Sequence, residues 1–443
     1  MTTEWLNLSI PYGSGYETAL INPKRTVHIL TPTANHLSVE SEKGPLGNSP
    51  SDISQKEKSI ILKALRNPIG SPGLQELARD KKKVVIVTSD HTRPVPSHLT
   101  IPLMISEIRA ASPVAHITIL IGVGCHRNST KEEMLKKFGP DVVNNEVVIN
   151  HDPLDEANLV SLGRLPSGGE LRLNRLALEA DLLVADGFIE PHQFAGFSGG
   201  RKSILPGIAA FNTVLASHNS EFTVHPLARP GSLDGNPFQE DMVYAARKAN
   251  LAFILNVTLT PDKRVSMAFA GDLLEAHLKG CEYVLAESAV QARPSPIVIT
   301  SNGGYPLDQN IYQSTKSIMA ADLTCQDNGV IIAVNECRDG HGSESFLNSF
   351  KNASSLSALL SEIESRSREE TIPDQWVIQL TASILIRRKV IMVTKAAQDD
   401  VTALGMRKQT SLEAALKQAD ELTGNPLGPI TVLPNAVAVV IRP

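Results

Sequence analysis

The 443-residue chain is poor in several things, and each scarcity excludes a class of protein. No run of apolar residues approaches the ~18 to 20 needed to cross a bilayer, so no membrane span is expected. The opening residues, MTTEWLNLSIPYG, hold neither a basic stretch nor a long apolar one. No secretory signal peptide is read there, and the expected location is the cytoplasm. Only four cysteines occur, Cys125, Cys281, Cys325 and Cys337, far apart and without a CxxC pair. That spacing offers neither a disulfide framework nor a zinc knuckle, and it suits a reducing compartment. Positive charge is not in excess: the formal net charge is −5. This argues against nucleic acid as the main partner, while leaving room for a local cationic pocket that takes a small anion. Low-complexity tracts and repeats of solenoid period are also missing.

What is present is an ordinary globular composition in a chain too long for one core, so two domains are expected. Short continuous apolar runs alternate with helical patterns. KKVVIVTSD (82–90), AHITILIGVG (115–124) and ADLLVADGF (180–188) read as buried strands, and SPIVITSNGG (295–304), NGVIIAVNEC (328–337) and RKVIMVTKAA (388–397) repeat the pattern. PITVLPNAVAVVI closes the chain. Thr130 and Glu133 form a T-x-x-E capping box stopped at Gly139-Pro140, and Ser97 is placed as the N-cap of the helix that follows it. Such alternation predicts an α/β fold: two α/β domains with mostly parallel sheets and the active site in the cleft between them. The domains are expected at 1–287 and 293–443, joined near QARPSP, with residues 35–55 as loop.

Ligands of open α/β sheets bind beyond the carboxyl ends of the strands. There the sequence offers Asp90, His91, Thr92 and Arg93 after the first strand, His126 after the second, His192 after the third, and Tyr312, Gln313 and Lys316 after the fourth. Each has an ordinary alternative. Asp90 can be a cap, Arg93 a surface ion-pair partner, either histidine a satisfied loop residue, and the trio a polar helix turn. His98 and His116 are read as structural.

The stretch GFIEPHQFAGFSGGRKSILPGIA (187–209) imitates a phosphate-binding loop and fails as one. The residue before Lys202 is Arg201 instead of glycine, and Pro206 interrupts the helix that would follow. A lysine in a glycine-rich turn has three other uses: a point charge for an anion, a Schiff base, or a covalent anchor for a cofactor. His218 lies just downstream, but one lysine and one histidine are too few to hold zinc.

SDHTRP, CHR, PHQFAGFSGGRKSILPGIA, SH at 217–218 and NGGYPLDQNIYQSTK together resemble the nickel-pincer lactate racemase family, over essentially the whole chain. The resemblance implies a bis-thiocarboxylated pyridinium mononucleotide carrying nickel, made by dedicated maturation proteins and tethered to Lys202, with His218 as the protein ligand to the metal. Lys202 and His218 are thus the two attachment points of the metal-bearing group. It further implies His126 and His192 as the acid/base pair and Asp90, His91, Thr92 and Arg93 facing the cofactor or orienting a histidine. Arg93, Tyr312, Gln313, Lys316 and Trp376 would line the substrate. Lactate chemistry is consistent with this. Its Cα proton is poorly acidic beside a carboxylate, whereas hydride removal gives neutral-ketone pyruvate while a neutral histidine takes the hydroxyl proton. The expected activity is racemisation of a short 2-hydroxy acid, first of all lactate. Gln193, where an aromatic residue is expected, leaves malate, 2-hydroxyglutarate or a larger acid as alternatives. A pyridoxal-type racemase on Lys202 and a non-catalytic hydroxy-acid-binding module are the rival classes.

Overall fold

A computed structural model describes residues 5–32, 50–260 and 262–442. Twelve strands form two six-stranded sheets. In chain order they are β1 (Val27–Ile29), β2 (Lys83–Ser89), β3 (His116–Gly122), β4 (Val147–Asn150), β5 (Leu182–Phe188) and β6 (Leu251–Leu259). They continue with β7 (Val265–Gly271), β8 (Ser295–Thr300), β9 (Cys325–Val334), β10 (Lys389–Val393), β11 (Arg407–Gln409) and β12 (Ile430–Leu433). One sheet has the order β7-β6-β5-β2-β3-β4 and is parallel except for the β6–β7 hairpin. The other has the order β11-β10-β9-β8-β12-β1 and is wholly parallel. The central strands explain themselves: β5 is buried at every residue and β2 at five of seven. Helices therefore cover both faces, and continuous aliphatic runs replace alternation. The strands expected from apolar runs all form. β1, β4, β6, β7 and β11 are additions that the apolar runs do not announce.

The chain divides into two compact units. One comprises Ala34–Ser217 and Leu227–Glu287 and holds the β7-to-β4 sheet; we call it the Lys202 unit. The other comprises Met1–Thr33, His218–Pro226 and Ser288–Pro443; we call it the C-terminal unit. A contiguous domain over 1–287 is thus not what forms, for a physical reason. β1 joins the C-terminal unit's sheet, with Val27 opposite Ile430 and Ile29 opposite Val432. The preceding hairpin, Leu6–Tyr12 with Gly15–Ile21, drives Leu8, Ile10, Ala19 and Ile21 into one core with Ile297, Ile299, Val330 and Ile332. Within the Lys202 unit a separate core joins β2, β3, β5 and β6 residues to the helix Ser97–Ala111 through Leu99, Ile101, Met104 and Ile108.

Local details refine the sequence reading. The Thr130–Glu133 capping box is present, and its helix, Lys131–Phe138, stops at Gly139 with φ 85°, a left-handed value suited to glycine. Ser97 lies inside its helix instead of capping it, because its hydroxyl donates to Asp186 Oδ2 at 3.1 Å. Of the expected loop 35–55, residues 35–49 lie outside the described residues, while Pro50 begins a helix that runs to Arg66. Among the described residues no helix is long and apolar enough to cross a membrane.

Candidate active site

In the Lys202 unit, the loops beyond β2 and β3 converge on one dyad. Asp90 follows β2 directly and is buried, and its Oδ2 lies 2.7 Å from Nδ1 of His126, in the loop after β3. Asp90 Oδ1 accepts the Thr92 hydroxyl at 2.6 Å and the Thr92 N–H at 2.9 Å. Burial alone would raise the carboxyl's pKa, but the His126 and Thr92 hydrogen bonds outweigh it and hold the group well below the usual carboxylate range. A permanent carboxylate therefore takes the Nδ1–H of His126 and turns the lone pair of Nε2 outward, the tautomer a general base requires. His126 itself is about half exposed, with 45% of its side chain accessible, so a substrate can reach it.

The rest of the 90–93 turn is pinned from the side. His91 Nδ1 lies 3.1 Å from Ser129 Oγ and 3.7 Å from Glu133 Oε2. Arg93 is exposed, and its Nη1 donates to Thr92 Oγ1 at 3.2 Å.

The glycine-rich turn after β5 is a tight device built on buried polar groups. Pro191–His192 pairs antiparallel with Gly196–Phe197, and Gly200–Ser203 is a single 3-10 turn. Arg201 is almost fully buried and has no carboxylate partner among the described residues. Its guanidinium donates to the carbonyls of Ala195 at 2.8 Å, Phe197 at 3.0 Å and Gly199 at 3.3 Å, and lies 3.1 Å from His277 Nε2. Burial pushes its pKa down to about 10. The β6 residue Asn256 accepts the Gly200 N–H at 2.7 Å. Gly200 has φ 54°, and a Cβ there would come within 2.7 Å of His277, so both the backbone and the space demand glycine. The residue that spoils the P-loop pattern thus gathers the turn's carbonyls.

Lys202 is half-buried, with its Nζ 6.0 Å from the ring centroid of Phe194. Phe194 in turn meets His192 edge-on at 4.6 Å. Burial first, then the charges of Arg201 and Arg93, push the Lys202 amine well below its ordinary value. His192 is half-buried, and its Nδ1 accepts the Ala195 N–H at 3.3 Å. Asp90, His91, Thr92, Arg93, His126, His192 and Lys202 therefore all sit on loops at the carboxyl ends of neighbouring parallel strands of one sheet.

The remaining candidates belong to the C-terminal unit. His218 is buried, and its ring lies 4.8 Å from that of Trp376. Tyr312, Gln313 and Lys316 sit on the helix Ile311–Asp322, capped by Asn310, whose Oδ1 accepts the Gln313 N–H at 2.9 Å. All three are partly exposed while Ile311, Ser314, Thr315, Ser317 and Ile318 are buried, so they share the helix's outward stripe. Buried Asn302 anchors that helix by donating to the carbonyls of Leu307 at 2.7 Å and Gln313 at 2.8 Å. Arg201 as a carbonyl clamp, His277, Asn256 and Glu133 escaped the sequence reading. Glu133 alone carried a signal, its place in the capping box.

Family comparisons agree along the chain. The model of the lactate racemase N-terminal domain matches residues 12–231, and that of the lactate racemase C-terminal domain matches residues 290–441. A lactate racemase of Thermoanaerobacterium thermosaccharolyticum is 49% identical over 437 residues, covering 98% of this chain and 99% of that protein. One of Lactiplantibacillus plantarum is 46% identical over 387 residues, covering 87% and 91%. The solved lactate racemase apoprotein from T. thermosaccharolyticum superposes with a TM-score of 0.92 at 48% identity, covering 99% of this chain and 100% of that one.

Proposed function

Because the chain belongs to the lactate racemase family, we propose that it is an isomerase that interconverts D- and L-lactate, using a nickel-pincer nucleotide attached at Lys202 and ligated by His218. The observation that carries this reading is the coexistence, in one unit, of an oriented histidine base, His126 on Asp90, and a lysine whose burial favours the uncharged amine, Lys202.

The residues fit such a group. Covalent attachment through an amide-type bond needs a nucleophilic, unprotonated amine, which is the form that the surroundings of Lys202 favour. His218, buried against the Trp376 ring, offers an imidazole nitrogen, a donor type suited to nickel. When bound, the group supplies a soft, electron-poor acceptor for the substrate's Cα hydride. The protein does the rest. His126 Nε2 accepts the hydroxyl proton as the C–H bond breaks, and Asp90 stabilises the resulting imidazolium. Lactate thereby becomes pyruvate, planar at the former stereocentre. His192 is the second proton carrier, so that the proton and hydride can return to the opposite face. Arg93, exposed beside the dyad, takes the carboxylate so that the ketone turns without escaping, and Tyr312, Gln313 and Lys316 are the substrate contacts we propose for the C-terminal unit.

The test is intact mass and activity of protein made in a host that synthesises the cofactor. Wild type should carry a nickel- and sulfur-containing adduct at Lys202 and racemise both enantiomers. Lys202→Ala should fold, carry no adduct and be inactive. Racemase activity in that variant would overturn the anchor assignment.

A further inference from the structure

The short helix Lys131–Phe138 has more polar connections to the site loops than its own stability requires. Its capping-box residue Glu133 accepts the Thr130 N–H at 2.8 Å, which closes the cap. The same carboxylate also holds both Nη atoms of Arg127, at 2.8 and 2.6 Å, and lies 3.7 Å from His91. Arg127 is the residue after His126, and His91 is the residue after Asp90. One turn further along, at i+4 and so on the same face of the helix, Lys137 sends its ammonium 3.1 Å to the carbonyl oxygen of Arg93. Lys137 is half-buried, and Asp90 and Asp186 are the acidic groups near enough to act on it. Glu133 and Lys137 therefore grip both members of the dyad's neighbourhood: the loop that carries His126, and both ends of the turn that carries Asp90 and Arg93.

We propose that Lys131–Phe138 is a brace that fixes Arg93 relative to His126, with Lys137 and Glu133 as its positioning residues. Neither touches the reacting atoms. Lys137 sets where the Arg93 guanidinium starts from, because a carbonyl pinned at residue 93 limits rotation of the turn about Asp90. Glu133 sets the lateral position of His91 and Arg127. Loss of the Lys137 contact frees the turn's last residue while leaving Asp90 on His126, so carboxylate binding suffers before proton transfer does.

The kinetic part of this inference rests on the racemase reading, and the experiment keeps the two separable. Lys137→Met, Lys137→Arg and, as a control on the exposed side of the helix, Lys136→Met are compared with wild type in two measurements. The first is the steady-state racemisation of lactate by the cofactor-loaded enzyme. In Lys137→Met the KM should rise about tenfold, the scale of one lost charge-assisted hydrogen bond, with kcat within about threefold. Lys137→Arg should recover most of it, and Lys136→Met should match wild type. The second is amide hydrogen exchange of the apoprotein. In Lys137→Met, residues 91–93 should exchange about tenfold faster while β2 and β3 keep their protection. Wild-type exchange at 91–93 in Lys137→Met overturns the brace, and so does faster exchange spread through β2 and β3, which would make Lys137 a residue of the fold. If the wild-type enzyme fails to racemise lactate, the functional reading falls and the exchange measurement still decides the brace.

Discussion

Acid should weaken the Lys202 unit well before its carboxylates protonate, and His277 is the reason. Its imidazole is fully buried and lies 3.1 Å from the guanidinium of Arg201, a cation that no carboxylate offsets among the described residues. Burial first, then the charge of Arg201, pushes the pKa of His277 down to about 3. In the unfolded chain the same ring titrates near ~6.5. Between those values the unfolded state binds a proton that the folded state refuses, so unfolding free energy falls as pH falls through that window. The slope starts at half its limit at pH ~6.5 and approaches about 1.4 kcal/mol per pH unit below it, which amounts to about 2 kcal/mol between pH 6.5 and 4.5 from this one group. His151, also buried, with its pKa lowered by burial, adds to the slope in the same direction. Asp90 acts elsewhere: its depressed carboxyl pKa contributes stability above ~3.9 that is lost only below it.

His277→Gln isolates the effect. It should lower stability at pH 7 by about 1–3 kcal/mol through poorer hydrogen bonding at the Nε2 position, which faces the Ser198 carbonyl at 2.9 Å and Arg201 at 3.1 Å, but the loss between pH 6.5 and 4.5 should shrink by about 2 kcal/mol. The measurement is amide hydrogen exchange in β5 at several pH values. Tryptophan fluorescence would report on the wrong half, since Trp5 and Trp376 both lie in the C-terminal unit. If the wild-type and His277→Gln curves run parallel from pH 7 to 4.5, the buried imidazole is not excluding its proton and the reasoning fails.

Three further outcomes test the site. In single-turnover formation of enzyme-bound pyruvate, His126→Ala should still oxidise one enantiomer of lactate and His192→Ala the other, while steady-state racemisation drops about 10²–10⁴-fold in both; wild-type oxidation of both enantiomers by both variants would make the histidines structural. His218→Ala should retain the organic adduct by mass but lose most of its nickel by elemental analysis, and full occupancy would remove His218 from the ligand set. Gln193, whose buried Oε1 has no hydrogen-bond partner among the described residues, should govern the choice of acid, so the ranking of lactate, malate and larger 2-hydroxy acids should change in Gln193→Phe; an unchanged ranking frees it of that role.

Much of this architecture was legible because its strands are buried on both faces. Continuous runs such as LLVADGF leave few conformational alternatives, and the residues just past them, Asp90 above all, inherit their place from the strand. β7 stayed hidden because it mixes buried with half-exposed residues as an edge strand does. The role of Arg201 was hidden for another reason: its partners are backbone carbonyls, which no sequence pattern advertises. Ser97 was misread because a hydroxyl at a helix start has two outlets, its own backbone or a buried acid. Asp186, 89 residues away, wins. Trp376 came from family resemblance alone, and its contact with His218 supplies the physical content.

The pairing of β1 with β12 carries a consequence for how the protein is made. Val27 leaves the ribosome ~400 residues before its partner Ile430. At about 5–20 residues per second, the early strand waits about 20–80 seconds for its neighbour. The Lys202 unit, by contrast, has all its strands once residue 271 has emerged. Synthesis therefore completes the strands of the Lys202 unit first and leaves the C-terminal unit's sheet open beside β1 until Ile430 emerges. Expression of residues 288–443 alone would never close that edge, because the strand that covers β12 lies upstream of the whole Lys202 unit.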